Sequence, residues 1–195
     1  MTTPHQTLNQ NQRIGLLTGA ILATIMSLLD ATAVNVSLPY ISGGLSGTPD
    51  TVTWVIIIYT LGASLVTPIS AAVCQRYGIK TVFLTAIIIF GISSVLCGFA
   101  SSLSMLIITR AIQGLSGGFL SPVGETIILS QFEGKKRPKG MAIYGICLML
   151  GPVCGPVLGG IITEYLSWSW VFYINIPICL ITVYLISSNL KSAPL

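Results

Sequence analysis

The sequence is poor in charge, and poorest in acidic residues. Only 7% of its 195 residues are charged, and five of them are Asp or Glu. A soluble domain carries about 25% charged residues. With 53% hydrophobic residues and a mean hydropathy of +0.88, this composition excludes a soluble globular protein. It predicts an integral membrane protein with little soluble mass.

The residue patterns of enzymes and metal proteins are also missing. There is no nucleophile–base set and no phosphate-binding loop, which argues against catalysis and against ATP as an energy source. The five cysteines have no metal-ligand spacing and are interpreted as small hydrophobic residues of helices. The single histidine, His5, lies in a polar tail. We therefore expect no cofactor, no metal site and no nucleic-acid partner.

What the sequence does contain is six apolar runs of membrane-spanning length, which predict an all-α membrane protein embedded in a lipid bilayer. We expect residues 1–12 to be a disordered cytoplasmic tail, 13–190 one six-span bundle and 191–195 a second cytoplasmic tail. A cluster from Pro39 to Pro49 is predicted to break the chain after span one. Spans one to six are Ile14–Val36, Val52–Val73, Thr81–Ala100, Leu103–Leu129, Met141–Thr163 and Trp168–Ser187.

The positive charges indicate an orientation. Eight of the nine Lys and Arg residues lie in the two tails and in the loops after spans two and four. The opposite loops carry only the acidic Asp50 and Glu164. The positive-inside rule therefore predicts a multi-pass protein of the cytoplasmic (inner) membrane with both termini in the cytoplasm. The aromatic residues expected at the outer interface are Tyr40, Trp54, Tyr165, Trp168 and Trp170.

Two opposite charges lie deep inside spans. Asp30 in span one and Arg110 in span four are both about 10 Å below the outer surface, judged from the helix rise. An Arg cannot lose its proton, and burying it costs about 3 kcal/mol or more. We therefore predict that the two side chains pair. The pair is either a proton-coupling site, because burial and a neighbouring cation act on a carboxyl group in opposite directions, or a static structural pair.

Other polar residues of spans one and four suggest a cavity. Asn35, Gln113 and Ser121 are expected to line it and to contact substrate. Ser121 and Glu125 share a helical face with Arg110, because they follow a spacing of three or four residues. Glu125 is either a second proton or cation contact, or an interfacial carboxylate that pairs with Arg76 or Lys80 of the loop after span two.

The spans repeat in character. Spans one and four are polar, spans two and five contain Gly or Pro, and spans three and six are rich in Ile, Leu and Phe and are expected to face lipid. This order predicts two three-span repeats of opposite orientation, a construction typical of secondary transporters. In span five the small residues predict close helix packing and the prolines permit a bend; these residues are Gly145, Gly151, Pro152, Gly155, Pro156, Gly159 and Gly160.

Four stretches together resemble the N-terminal six-helix half of a major facilitator superfamily transporter, and within it the 14-span drug:proton antiporters. The resemblance implies a 3+3 inverted-repeat bundle and proton-coupled efflux of amphiphilic drugs. It identifies the span-four stretch with proton transfer and the span-five stretch with the antiporter motif. The four stretches are Leu29–Pro39, Arg110–Gly114, Gly145–Gly160 and Trp168–Pro177.

The loop after span two departs from that family. The resemblance assigns it to gating and places an acid where this chain has Gln75, so the latch it forms on the cytoplasmic side is expected to be weak. The other residues of this gating loop are Arg76, Gly78 and Lys80.

Family members contain two six-helix bundles, whereas this chain ends just after span six. We therefore expect a second six-span bundle, from a homodimer or from a separate C-terminal half. The alternative is a truncated or remnant half-transporter without transport of its own, or a membrane assembly partner.

Overall fold

The computed structural model describes residues 9–132 and 134–190, and within them the chain is almost entirely helical. Short 3₁₀ turns at Thr67–Ile69 and Gly134–Lys136 precede two of the helices. The α-helices are α1 (Gln10–Gly44), α2 (Pro49–Val66), α3 (Ser70–Tyr77), α4 (Ile79–Gly98), α5 (Leu103–Ser130), α6 (Arg137–Tyr165), α7 (Trp170–Tyr173) and α8 (Asn175–Asn189).

Six helical segments of the described ranges are long and apolar enough to cross a membrane, which confirms the six-span prediction. Spans one, three, four and five are α1, α4, α5 and α6. Span two consists of α2, a 3₁₀ turn at Pro68 and α3, and span six consists of α7 and α8. The break before α8 follows from Pro177, which lacks the N–H that a continuous helix would use to bond the carbonyl of Tyr173.

The first helix is longer at both ends than the sequence predicted. It begins at Gln10 because Asn9 caps it and Gln12 bonds back to the Asn9 N–H, so residues 10–12 belong to the helix and not to the predicted tail. It also passes through Pro39 and ends at Gly44. Pro39 is exposed, and the helical bond that it removes lies near the C-terminal end of α1. Residues 1–8 and 191–195 of the predicted tails lie outside the described residues.

The helix contacts have the symmetry of an inverted repeat. Spans one, two and three correspond to spans four, five and six. When each span is exchanged for its counterpart, the largest helix–helix contacts map onto one another. The contact of α1 with α6 maps onto that of α5 with α2, and the contact of α4 with α5 maps onto that of α8 with α1. This pattern agrees with the predicted 3+3 arrangement, and α1 and α5 are the central helices of the bundle.

The core consists of two apolar clusters separated by a polar layer. One cluster, in the half predicted to be cytoplasmic, includes Met26, Phe90 and Leu120. The other, in the opposite half, includes Val34 and Leu106. On α1, α4, α5 and span six, a group of buried polar residues lies between the positions that belong to the two clusters. This polar layer consists of Ser27, Asp30, Ser93, Ser94, Thr109, Arg110, Gln113, Ser116 and Asn175.

Spans three and six have exposed apolar sides, as expected for lipid-facing helices, but they also contribute to the core. Half of the residues in the most apolar stretch of α4 are buried, the same share as in α1 and α5. Span six is also more buried than spans two and five, which are the most exposed of the six. Both α4 and α8 pack against the central helices and contribute polar side chains to the buried layer. Their apolar composition did not reveal this, because a membrane protein is apolar on its lipid surface as well as in its core.

The glycine stripe of α6 packs against α1, as predicted. A Cβ placed on Gly151 would overlap Leu28, one on Gly155 would overlap Thr32, and one on Gly159 would lie 2.6 Å from the Ala33 carbonyl oxygen. The Thr32 hydroxyl also donates to the Gly151 carbonyl at 3.0 Å.

Two other glycines of α6 have no such role. No atom lies within 4 Å of a Cβ at Gly145, and Gly160 makes only an ordinary contact with Val36. The helix continues without interruption through Pro152 and Pro156, both of which are exposed.

Candidate functional site

The predicted contact between Asp30 and Arg110 is present at the centre of the polar layer. The Arg110 Nη1 donates to Asp30 Oδ2 at 2.6 Å, and both side chains are fully buried. Asp30 lies on α1 and Arg110 on α5, the two central helices. The buried guanidinium therefore has the partner that its position in the membrane requires.

Two amides complete the shell around the Asp30 carboxylate. The Gln113 Nε2 donates to Oδ1 at 3.3 Å, and the Asn175 Nδ2 donates to the same oxygen at 2.8 Å. Together with Arg110, these contacts make Asp30 an acceptor from three donors on α5 and α8. Both carboxylate oxygens of Asp30 therefore accept hydrogen bonds.

Ser94 of α4 connects the two amides. Its hydroxyl accepts from Gln113 at 3.1 Å and from Asn175 at 2.9 Å, and it donates to the Phe172 carbonyl at 2.9 Å. The side-chain oxygen Oε1 of Gln113 in turn accepts from Arg110 Nη1 at 2.9 Å. Four helices, α1, α4, α5 and α8, are therefore joined by one hydrogen-bond network, which fixes their relative positions.

Aromatic rings enclose the guanidinium. Its carbon lies 4.0 Å from the centre of the Tyr59 ring and 5.7 Å from that of Phe172. Nε donates to the Val55 carbonyl at 3.4 Å, whereas Nη2 has no hydrogen-bond partner within the described part of the chain. Since a cation over an aromatic face is stabilised by the ring quadrupole, Tyr59 is a second partner of Arg110.

Three members of this site were not predicted from the sequence. Ser94 and Asn175 lie on spans three and six, which were expected to face lipid. Tyr59 lies on span two, which was described only as containing Gly or Pro. Asn175 lies in one of the four stretches that carry the family resemblance. Its amide within an apolar run could have marked it as a residue of the site. Its partner Asp30 is 145 residues away along the chain, and sequence spacing does not reveal such a contact.

A cavity of about 490 Å³ lies beside this network, between α1, α2 and α5. Tyr59 forms part of its wall, with Ser27 and Ser121. The residues predicted to contact substrate are not brought together. Ser121 lines the cavity, Gln113 is sealed inside the hydrogen-bond network, and Asn35 is exposed near the outer end of α1.

Glu125 lies in another cavity, of about 630 Å³, in the half predicted to be cytoplasmic. It is half-buried, and Gln75 and Arg137 line the same cavity. No ion pair joins it to Arg76 or Lys80 in the described ranges, so the predicted interfacial pairing is absent.

The remaining residues of the predicted gating loop have separate roles. Gly78 has a φ of 82°, a conformation that favours glycine, and it connects α3 to α4. The Lys80 ammonium donates to the Ser187 carbonyl at 2.9 Å, which ties this loop to α8. The Arg76 guanidinium lies 5.5 Å from the centre of the Tyr77 ring.

Comparison with known proteins gives a consistent result. Residues 20–193 match the profile of the Major Facilitator Superfamily. The chain is 36% identical to "Probable multidrug resistance protein EmrY" of Escherichia coli (strain K12) over 170 residues, which are 87% of this chain and 33% of EmrY. It is 38% identical to "Multidrug transporter protein MdtP" of Bacillus subtilis (strain 168) over 182 residues, or 93% of this chain and 34% of MdtP.

A third relative is "Multidrug export protein EmrB" of Escherichia coli (strain K12), 36% identical over 170 residues, which are 87% of this chain and 33% of EmrB. The chain thus spans about a third of the length of these curated relatives.

Proposed function

The chain belongs to the Major Facilitator Superfamily, and on this premise we propose that it is the N-terminal bundle of a proton-coupled multidrug antiporter. In this proposal the bundle lies in the cytoplasmic membrane with both termini in the cytoplasm. It takes part in exchanging protons for amphiphilic drugs. The names of two relatives, a probable multidrug resistance protein and a multidrug transporter protein, support drug transport. The observation that carries the proposal is the fully buried Asp30–Arg110 pair.

Asp30 is proposed to carry the exchanged proton because its surroundings respond to its charge. Each of its hydrogen bonds is donated to it by Arg110, Gln113 or Asn175. A proton added to Asp30 removes its negative charge and weakens its attraction for the Arg110 guanidinium. Since the donors lie on α5 and α8, protonation of Asp30 favours a different packing of these helices against α1.

A second six-helix bundle is proposed to cover the faces of α2 and α6, the two least buried spans. On α2 the exposed apolar side chains recur at helical spacing, as in Leu61 and Leu65. On α6 they include Met149, Val153 and Val157. The α1–α2–α5 cavity opens beside α2, so a bundle packed there supplies the opposite wall. Glu125 is proposed as a secondary proton or cation contact.

The experiment that tests this function is ethidium uptake into everted vesicles with an acidic interior. The protein is a chimera in which this chain replaces the matching third of MdtP, so that a second bundle is present. We expect uptake that lasts as long as the pH gradient and stops when nigericin collapses it. Uptake that continues after the gradient has collapsed would rule out proton-coupled antiport.

A further inference from the structure

Tyr59 belongs both to the buried polar layer and to the wall of the α1–α2–α5 cavity. Its ring lies 4.0 Å from the Arg110 guanidinium, and its side chain lines the cavity of about 490 Å³. It is only 6% exposed. A molecule that enters the cavity therefore reaches Tyr59 before it reaches Arg110 or Asp30.

The packing around Tyr59 leaves it one direction in which to move. A Cβ on Gly114 would lie 2.8 Å from the Tyr59 Cα, and one on Gly117 would lie 2.9 Å from its hydroxyl, so α5 closes that side. The hydroxyl donates to the Ser27 carbonyl on α1 at 3.3 Å. The open side is the cavity, so the ring can leave Arg110 only by moving towards an occupant of the cavity.

Arg110 has two kinds of partner, the Asp30 carboxylate and the Tyr59 ring. Nη1 makes the bonds to Asp30 and Gln113, while Nη2 has no hydrogen-bond partner in the described residues. When Asp30 is protonated its attraction for the guanidinium weakens, and the ring remains as the other partner. Removing the ring from Arg110 therefore favours the ionised carboxylate.

The cavity wall is suited to a ligand that donates hydrogen bonds. The hydroxyl protons of Ser27, Thr60 and Thr67 are donated to backbone carbonyls at 2.9, 3.0 and 2.8 Å. These hydroxyls therefore offer lone pairs to the cavity. None of the lining residues is charged. Amino groups with N–H bonds fit such a wall better than groups that can only accept.

From this geometry we propose that Tyr59 is a positioning residue that couples occupancy of the α1–α2–α5 cavity by an amphiphile with amino N–H donors to release of the Asp30 proton. The proposal rests on the proton-coupled function proposed above and adds the residue through which ligand and proton communicate. Tyr59 acts through Arg110 and does not itself exchange the proton.

The step involves one proton and no redox change. The ligand draws the Tyr59 ring into the cavity and away from Arg110, the guanidinium is then held by Asp30, and the Asp30 O–H bond breaks with its proton passing to water. The other titratable side chains around Asp30 are the buried thiols of Cys97 on α4 and Cys179 on α8, besides Arg110 on α5 and Tyr59 on α2. Ligand and proton affinities must then change reciprocally.

The test uses ethidium, which carries two aryl amino groups, and the purified MdtP chimera in lipid nanodiscs. Binding is followed by ethidium fluorescence, and protons released per bound ethidium are followed with a pH-indicator dye. We expect about one proton per ethidium in the wild type. In Tyr59→Leu we expect binding to persist while this ratio falls at least about threefold, a smaller factor than the loss of a desolvated cation–π contact can produce.

Tyr59→Phe keeps the ring on Arg110 and should restore the wild-type ratio, which a loss of packing would not do. Tyr59→Met, with a flexible side chain that fills gaps, gives a second test if Tyr59→Leu does not fold. The matched control is Tyr184→Leu on the exposed side of α8. If Tyr59→Leu or Tyr59→Met releases as many protons per bound ethidium as the wild type, the proposed role of Tyr59 is wrong and the proton-coupled function is unaffected. If the wild type releases no proton, the proposed function itself is wrong.

Discussion

At Arg110 a permanent charge lies between two apolar clusters, and the residues around it account for this position. Its depth and its need for an acidic partner could be predicted from the sequence, because an apolar run of spanning length leaves few partners for an internal charge. The prediction that Asp30 is this partner is confirmed. The remaining shell of Ser94, Asn175 and Tyr59 could not be predicted, because each comes from a different helix.

The energy of the pair predicts unequal effects for its two members. Arg110→Ala leaves Asp30 buried without its cation and should lower the free energy of unfolding by about 3–5 kcal/mol. Asp30→Asn keeps the shape of the side chain and should cost less, since Arg110 retains Gln113 and the Tyr59 ring. Thermal unfolding in detergent measures both. An Arg110→Ala variant as stable as the wild type would show that the ion pair does not contribute as described.

Asn175 should also matter more than its place in an apolar span indicates. Asn175→Ala removes donors from Asp30 and Ser94 and should destabilise the protein by about 1–3 kcal/mol. The matched control is Asn35→Ala, because Asn35 is exposed; it should change stability by less than about 0.5 kcal/mol. Similar melting temperatures for the two variants would contradict the network.

At the scale of the helices, the glycine stripe of α6 is the clearest case of a sequence pattern that predicts packing. The stripe predicted a close approach, and the structure has it at Gly151, Gly155 and Gly159. The identity of the partner, α1, and the idle positions Gly145 and Gly160 could not be read from the pattern. A small residue permits close contact but does not specify which helix makes it.

Gly155→Leu tests this contact. A side chain there would overlap Thr32 and the Ala33 backbone, and overpacking of this kind costs about 1–3 kcal/mol or more. Leu158→Ile, three residues along the same helix at a half-exposed position, conserves volume and serves as the control. We expect the folded yield on size-exclusion chromatography to fall for Gly155→Leu only. Equal yields would contradict close packing of α6 on α1.

At the scale of the whole molecule, the sequence predicted the number of spans and the pairing of repeats, but it did not reveal that spans three and six also contribute to the core. Alternating polar and apolar spans indicated which helices are central. The same apolar composition made spans three and six look lipid-facing, although α4 is as buried as α1. Composition separates water from lipid, but it does not separate a lipid-facing surface from the core of a bundle.

Orientation remains a prediction, and reporter fusions test it. The distribution of Lys and Arg predicts that reporters fused at Met1 and Leu195 are active on the cytoplasmic side. A reporter inserted after Gly47, between α1 and α2, should be active on the opposite side. An external signal from the C-terminal fusion would contradict six spans of this orientation.

The account depends most on the claim that Asp30 carries the exchanged proton. The measurement is drug-driven proton flux in proteoliposomes of the MdtP chimera, compared between wild type and Asp30→Asn at matched amounts of folded protein. The amide preserves shape and still accepts from Arg110, but it cannot ionise. The account predicts that added drug drives proton flux in the wild type and none in Asp30→Asn. Undiminished flux in Asp30→Asn would remove Asp30 from the mechanism and leave Glu125 as the remaining candidate.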